Sequence, residues 1–285
     1  MRYGFVVPFG DAADLADLAV LGEQHEWDAV FGWEALWGVS AWVALTAAAC
    51  RTERIRLGTL LTPVSRWRPW DLATTVRTLD TVSNGRAILG AGLGALHDGW
   101  TAFETDDGRA ARVRRLTECL DIYAGLMKGQ PFAYDGVEYQ VRPTDFMLPA
   151  PPVQQPHPPV WLVGAYVPGR EKQPSLERAA KWEGLLPQRG DNPPGDDRKA
   201  ESPERLAEIV DLVRGYREAA GLPWNGYDVV KEADSFGDFT AQTTNDNSAW
   251  AEAGATWWVE SWWDLEGGPE GFAEIRRRIT SGPPR

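Results

Sequence analysis

The sequence predicts an α/β protein built as a single (β/α)8, or TIM, barrel, and three observations carry that prediction. Short apolar runs alternate with amphipathic stretches along the whole chain, and such alternation implies parallel strands joined by helical crossovers. The alternation counts to eight strands and eight helices. The length of 285 residues is close to the roughly 250 that one such barrel uses, so residues 1–285 read as one domain without internal repeats.

The elements follow in order. Residues 2–8 form the first strand, and residues 11–25 a helix with Leu15, Leu18, Ala19 and Gly22 at helical spacing. Residues 28–33 are the second strand and 39–51 the next helix. The third strand covers 55–62 (IRLGTLLT), and its helix 69–82 starts at Pro69 and ends before Asn84-Gly85. Residues 86–93 (RAILGAGL) are the fourth strand. Residues 109–127 form the best-marked helix, with Val113, Leu116, Leu120, Tyr123 and Met127 on one face. The fifth strand (160–165), a short helix opened by Ser175 and a sixth strand (183–187) follow. A helix opens at Ser202-Pro203 with Leu206, Ile209, Val210 and Val213 facing inward. Residues 227–233 and 256–261 are the last strands, with no range assigned to the helix between them, and 272–279 is the closing helix. Residues 132–159 and 188–201 read as loops.

Composition narrows the function. Twenty-nine basic against forty-one acidic side chains leave a net charge of −12, which argues against nucleic acid as a partner. No apolar run reaches the ~18 residues of a membrane span, and the first residues lack the layout of a signal peptide, so a cytoplasmic protein without a membrane partner is expected. Cys50 and Cys119 are too few for a disulfide framework or structural zinc site, and His25, His97 and His157 show no metal-ligand spacing. No metal is expected. There is no G-x-S-x-G elbow and no phosphate-cradling G-x-x-x-x-G-K. Gly90-Ala91-Gly92-Leu93-Gly94-Ala95 fits a loose dinucleotide fingerprint, but that motif needs a helix at once, and a polar loop intervenes.

In a barrel of this kind the chemistry lies in the loops after the strands. That rule selects Trp33, Glu34 and Trp37 after the second strand, and Ser65, Arg66, Trp67, Arg68 and Trp70 after the third. It then selects Gly92, Leu93, Gly94, His97, Asp98 and Trp100 after the fourth, Gly164, Ala165 and Tyr166 after the fifth, and Trp262 to Asp264 after the eighth. Most of the fifteen tryptophans fall in or near these loops, which suits a flat-walled pocket for a planar ring. Trp33, Trp37, Arg66, Trp67, Arg68, Trp100 and Trp262 are the expected substrate pocket. Burial beside Trp33 and Trp37 should raise Glu34 toward neutrality, making it the candidate acid/base.

The stretch RTERIRLGTLLTPVSRWRPWDLATTVRTLDTVSNGRAILGAGLG (51–94) resembles the bacterial luciferase-like monooxygenase family, which includes deazaflavin (coenzyme F420) dependent oxidoreductases. The similarity continues through GRAARVRRLTECLDIYAGLMKGQPFAYDGVEYQV, PAPPVQQPHPPVWLVGA and LERAAKWEGLLP, spanning about residues 2–187. The resemblance implies a luciferase-like barrel holding a reduced flavin-type ring and acting on a small-molecule substrate. It implies a non-prolyl cis peptide near Leu60-Leu61, with Thr59, Leu60, Leu61, Gly92, Leu93 and Gly94 at the cofactor. It also implies phosphate contacts at Gly164, Ala165 and Tyr166, to which Arg170 and Lys172 add charge, and a homodimer.

Two departures from the family pattern stand out. Many members carry an acid followed by histidine after the second strand, where this chain reads Glu34-Ala35; luciferases proper carry an arginine where this chain has Leu93. His97, with Asp98 beside it, is the expected substitute for the missing histidine. Loss of that arginine, together with the arginine-over-lysine bias of a GC-rich genome, favours coenzyme F420 over FMN. The alternatives are a catalytically degenerate barrel that binds a ligand or partner without redox turnover, and a cofactor-free hydrolase or lyase using Glu34 and Asp98.

Overall fold

Eleven strands and eight α-helices appear in a computed structural model that describes residues 1–94, 99–190, 202–233 and 241–284, with backbone alone for 241–246. The order is β1 (Arg2–Val7), α1 (Ala12–Gln24), β2 (Ala29–Gly32), α2 (Ala41–Ala49), β3 (Arg56–Thr59), β4 (Thr62–Pro63), α3 (Pro69–Val82), β5 (Ala87–Gly92) and α4 (Arg109–Lys128). It continues through β6 (Tyr134–Asp135), β7 (Gln140–Val141), β8 (Val160–Tyr166), α5 (Pro174–Ala179), β9 (Gly184–Arg189), α6 (Pro203–Ala219), β10 (Asp228–Ala233), α7 (Ala241–Glu252), β11 (Trp257–Ser261) and α8 (Pro269–Thr280). Parallel strands alternating with helices make the fold a (β/α)8 barrel, with β3 and β4 sharing one strand position and β6–β7 forming a separate antiparallel hairpin.

The residues fall into two compact units. One comprises Met1–Phe9, Leu21–Val30 and Val160–Arg285. Within it β8, β9, β10, β11 and β1 lie side by side, all parallel, with Trp161 opposite Gly184, Val230 opposite Trp257 and Tyr3 opposite Trp258. Its core is built from tryptophans. Trp161 and Trp257 are fully buried and meet edge-on at 5.1 Å, and Asp228 accepts the Trp161 indole N–H at 3.2 Å. Phe5 stacks on Trp262 at 6.0 Å and meets Trp27 edge-on, while the Trp27 indole donates to the Ile279 carbonyl at 3.0 Å.

The other unit comprises Gly10–Val20 and Phe31–Pro159. Here β5 pairs in parallel with β3 and then with β4. Arg86 donates to the carbonyl of Ala49 at the end of α2, a helix-end group that would otherwise be orphaned, and to those of Thr52 and Ile55 in the segment that follows. Asp80, fully buried on α3, accepts the backbone N–H groups of Val153 and Gln154 at 2.7 and 3.0 Å and so fastens the long segment leading into β8.

Four sequence expectations are revised, and the loop read over 188–201 starts after Arg189, where β9 ends, with 191–201 outside the described residues. The third strand is broken in two at Leu60-Leu61. The loop of residues 132–159 contains the β6–β7 hairpin. Ser175 lies inside α5, whose N-cap is Gln173, because the Ser175 hydroxyl is turned to the Ala165 N–H instead. The unassigned seventh helix is α7.

Candidate active site

The carboxyl ends of β2 to β5 are held close by the absence of side chains. A Cβ on Gly90 would stand 2.0 Å from the Thr59 carbonyl oxygen, so only glycine lets β5 approach β3 there. The Thr59 hydroxyl donates to the Gly90 carbonyl at 3.1 Å and receives the Thr62 hydroxyl at 2.9 Å. Leu60 N–H reaches the Gly32 carbonyl at 2.8 Å, and the next peptide, Leu60–Leu61, is cis. The non-prolyl cis bond implied by the resemblance is therefore present at the position expected.

Glu34 follows β2 and is half-buried. The Trp67 indole, arriving from the turn after β4, donates to its Oε2 at 3.1 Å. Loss of water around the carboxyl outweighs this and smaller stabilising effects from Thr62, Trp42 and Arg66, raising its pKa to about 7. The direction and its cause, burial, are the expected ones, but the tryptophans beside the carboxyl differ. Trp37 is 77% exposed and Trp33 is 38% exposed, and the indoles that interact with the carboxyl are those of Trp67 and Trp42. The Trp42 indole nitrogen is buried, and Glu34 is the acceptor it faces.

Behind Glu34 the loops after β4 and β5 interlock. Ser65 donates to the Leu93 carbonyl at 2.9 Å, and Arg112 on α4 donates to the Gly94 carbonyl at 3.2 Å. Gly94 has a left-handed φ of 76°, with Pro63 where a side chain would be. Trp100 is buried with the guanidinium groups of Arg66 and Arg112 each 5.8 Å from its ring, and its indole nitrogen has no partner. Arg66 is paired with Glu104, while Arg68 is exposed.

The end of β8 is different. The Ala165 N–H donates to Ser175 Oγ at 3.0 Å, and the Val167 N–H to Gln173 Oε1 at 3.1 Å. Gly164 is explained by packing, since a Cβ there would meet Leu185 and Leu176 at 2.4 and 2.7 Å. The Tyr166 hydroxyl donates to Glu208, and Arg170 and Lys172 are exposed.

Glu34, Arg66, Trp67, Trp100, Thr59 to Leu61 and Gly92 to Gly94 thus belong to the same compact unit, with hydrogen bonds joining Trp67 to Glu34 and the Arg66 turn to Leu93. Trp262 is a correction: it is fully buried between Phe5, Trp27 and Arg278, and an indole with no exposed surface cannot line a pocket. His97 and Asp98 lie outside the described residues. Sequence reasoning passed over Glu260, a fully buried carboxylate on β11 that accepts the Trp258 indole N–H at 2.7 Å, although a glutamate inside a run of strand residues is itself a signal. It also passed over Tyr139, whose hydroxyl reaches the Trp67 carbonyl at 3.2 Å.

The donor set tests a ring-and-phosphate cofactor in two parts. Around Glu34, a carboxyl near neutrality with the buried Trp42 indole beside it matches the polar edge of a ring. At Ala165 the match fails, because the N–H meant for a phosphate is taken by Ser175. Among the described residues no cluster suits a metal ion and no helix is long and apolar enough to cross a membrane.

Comparison with known proteins adds to this geometry. An F420-dependent glucose-6-phosphate dehydrogenase of Nocardia farcinica is 34% identical over 140 residues, which is 45% of this chain and 41% of that protein. The match therefore spans less than half the length of that relative. The coenzyme F420 dependent tetrahydromethanopterin reductase of Methanopyrus kandleri superposes with a TM-score of 0.72 at 17% identity, covering 99% of this chain and 98% of the other. A type II Baeyer–Villiger monooxygenase component of Pseudomonas putida, in complex with FMN, superposes at 0.63 and 16% identity over 82% of this chain and 67% of its own. At such identities the superpositions speak for the fold. The model of the family described as luciferase-like monooxygenase matches residues 1–171, and the chain belongs to that family.

Proposed function

We propose that the protein is an oxidoreductase using a reduced flavin-type cofactor, coenzyme F420 ahead of FMN, on a small organic substrate. The observation that carries this reading is Glu34: a half-buried carboxyl at the mouth of β2, fixed on one oxygen by the Trp67 indole. With a pKa of about 7 it is half protonated near neutral pH, which is where a group that both gives and takes protons works best. Because Oε2 accepts from Trp67, the proton is held at Oε1. Thr59, the Leu60–Leu61 peptide and Gly94 would flank the ring, and the Trp67 indole would keep Glu34 aimed. When bound, reduced F420 supplies a hydride and reduced FMN supplies electrons for oxygen activation. F420 leads because the Nocardia relative is F420-dependent and because Leu93 stands where luciferases proper hold an arginine.

The reading is tested by titrating the protein with F420 and with FMN, each oxidised and reduced, and following tryptophan fluorescence. Saturable quenching at micromolar levels by one of them is expected; no binding of either overturns the proposal. With a turned-over substrate in hand, Glu34→Gln should lower kcat by about 10²–10⁴-fold, and an undiminished rate removes Glu34 from the chemistry. A second reading, binding without turnover, is favoured by Ala35 in the place of histidine and by the occupied Ala165 N–H. A stoichiometric bound cofactor that no substrate oxidises or reduces would select it.

A further inference from the structure

Trp67 is held at both ends. Its indole donates to Glu34, and its carbonyl oxygen accepts from the Tyr139 hydroxyl at 3.2 Å, with the Cys119 thiol a weaker second donor at 4.0 Å. Tyr139 sits in the turn of the β6–β7 hairpin, far along the chain from Glu34, and one carboxylate gathers the backbone of that turn. Glu118, buried on α4, accepts the backbone N–H groups of Val137, Glu138 and Tyr139 at 2.9, 2.9 and 3.0 Å. Gly136 makes room for it, since a Cβ there would stand 2.3 Å from Glu118 Oε2. Glu138 pairs with Arg114 and Arg115 on the same helix, and the Tyr139 ring meets Trp70 edge-on at 6.4 Å. Burial pushes the Tyr139 phenol up to about 12, so it remains a donor at every physiological pH.

We propose that this hairpin is a positioning device for the site: Glu118 seats Tyr139, Tyr139 holds the Trp67 backbone, and Trp67 thereby keeps its indole on Glu34. The proposal deepens the acid/base reading of Glu34 and rests on it for its functional meaning. Tyr139 and Glu118 are positioning residues, and they act on the reaction only through Trp67. Two arrangements hold the arm: three backbone donors converging on one carboxylate, each charge-assisted, and one phenol on one carbonyl. The groups that face Glu34 are Trp67, Thr62, Trp42 and Arg66, of which Arg66 alone is charged among the described residues.

The test reads the titration of Glu34 directly, in the full chain without cofactor. Glutamate side-chain carboxyls are labelled with ¹³C, and the Glu34 resonance is assigned by its loss in Glu34→Gln. Taking a donor away from a carboxylate disfavours its ionised form, so Trp67→Phe should raise the midpoint by up to about one pH unit. Tyr139→Phe keeps the ring against Trp70, removes only the hydroxyl, and should raise the midpoint by roughly a few tenths of a pH unit in the same direction. In the Trp67→Phe background Tyr139→Phe should move nothing further. An unmoved midpoint in Tyr139→Phe, or the same increment with and without Trp67, overturns the proposal. Glu118→Gln enters at the other end of the arm and should move the midpoint upward too; no movement there has the same consequence. Because no turnover is measured, a Glu34→Gln variant of full activity would remove the acid/base reading while leaving this result standing on its own.

Discussion

Two sets of strand ends behave in opposite ways. After β2 to β5, polar groups are left with capacity to spare: Glu34 is raised to about 7, and the indole nitrogen of Trp100 is buried without a partner. After β8, two of the groups the resemblance assigned to a phosphate are occupied within the fold, Ala165 by Ser175 and Tyr166 by Glu208, and the next amide, Val167, is taken by Gln173. Unmet hydrogen-bonding capacity costs free energy, and a ligand bound at the first set would return that cost. Satisfied capacity stabilises the fold and must be released before an anion can use it. The contrast supports the proposal that the chemistry belongs to the first set.

The most forceful way to break this contrast is at the glycines. Gly90→Ala sets a Cβ against the Thr59 backbone, which cannot turn aside, and should cost at least ~3 kcal/mol in urea unfolding. Gly164→Ala meets only the flexible ends of Leu185 and Leu176 and should cost about 1–2 kcal/mol. Equal costs would mean that the two strand ends are alike. Next is Gln173, buried and making three hydrogen bonds that close the turn after β8 on itself. Gln173→Ala should lower the opening free energy of that turn by about 2 kcal/mol, read as faster exchange of the Val167 amide; unchanged exchange would show the turn held by something else.

A similar magnitude is expected from Glu34, with a definite sign. Its folded-state pKa lies above the ordinary 4.5, so the folded protein binds the extra proton and loses stability as pH rises from about 4.5 to about 7. Glu34→Gln removes the titration. Its stability relative to the parent should therefore improve by about 2 kcal/mol between pH 5 and pH 8, and a constant difference would return Glu34 to the rank of an ordinary surface acid. The smallest effect belongs to Ser175→Ala, which frees the Ala165 N–H at a cost of about 1 kcal/mol. If the β8 end is an anion site in waiting, this variant should bind the phosphorylated cofactor more tightly than the parent; unchanged affinity keeps that end structural.

Much of the fold is written locally. The strand runs and helix faces of residues 2–93 are marked by periodicity, by Pro69 at a helix start and by Asn84-Gly85 at its end, both of the latter with positive φ. Helix α6 begins where Ser202-Pro203 signals it, with the Ser202 hydroxyl accepting the Arg205 N–H. The β6–β7 hairpin is missed because two-residue strands leave no periodicity to read, and it exists through Glu118 on a different element. Trp262 is misplaced because loop position says nothing about which way an indole turns, and Phe5 and Trp27 offer it an apolar seat.

The sequence by itself determined the alternation of strands and helices, the family, the place of Leu60-Leu61 and the presence of a carboxyl after β2, since each depends on residues close together in the chain. Only the tertiary structure decided which partner each polar group took. Trp67 reaches Glu34 across 33 positions, Tyr139 reaches Trp67 across 72, and Ser175 takes the amide of Ala165. A hydrogen bond depends on distance and direction in space, and neither is encoded in local pattern once the chain has turned back on itself.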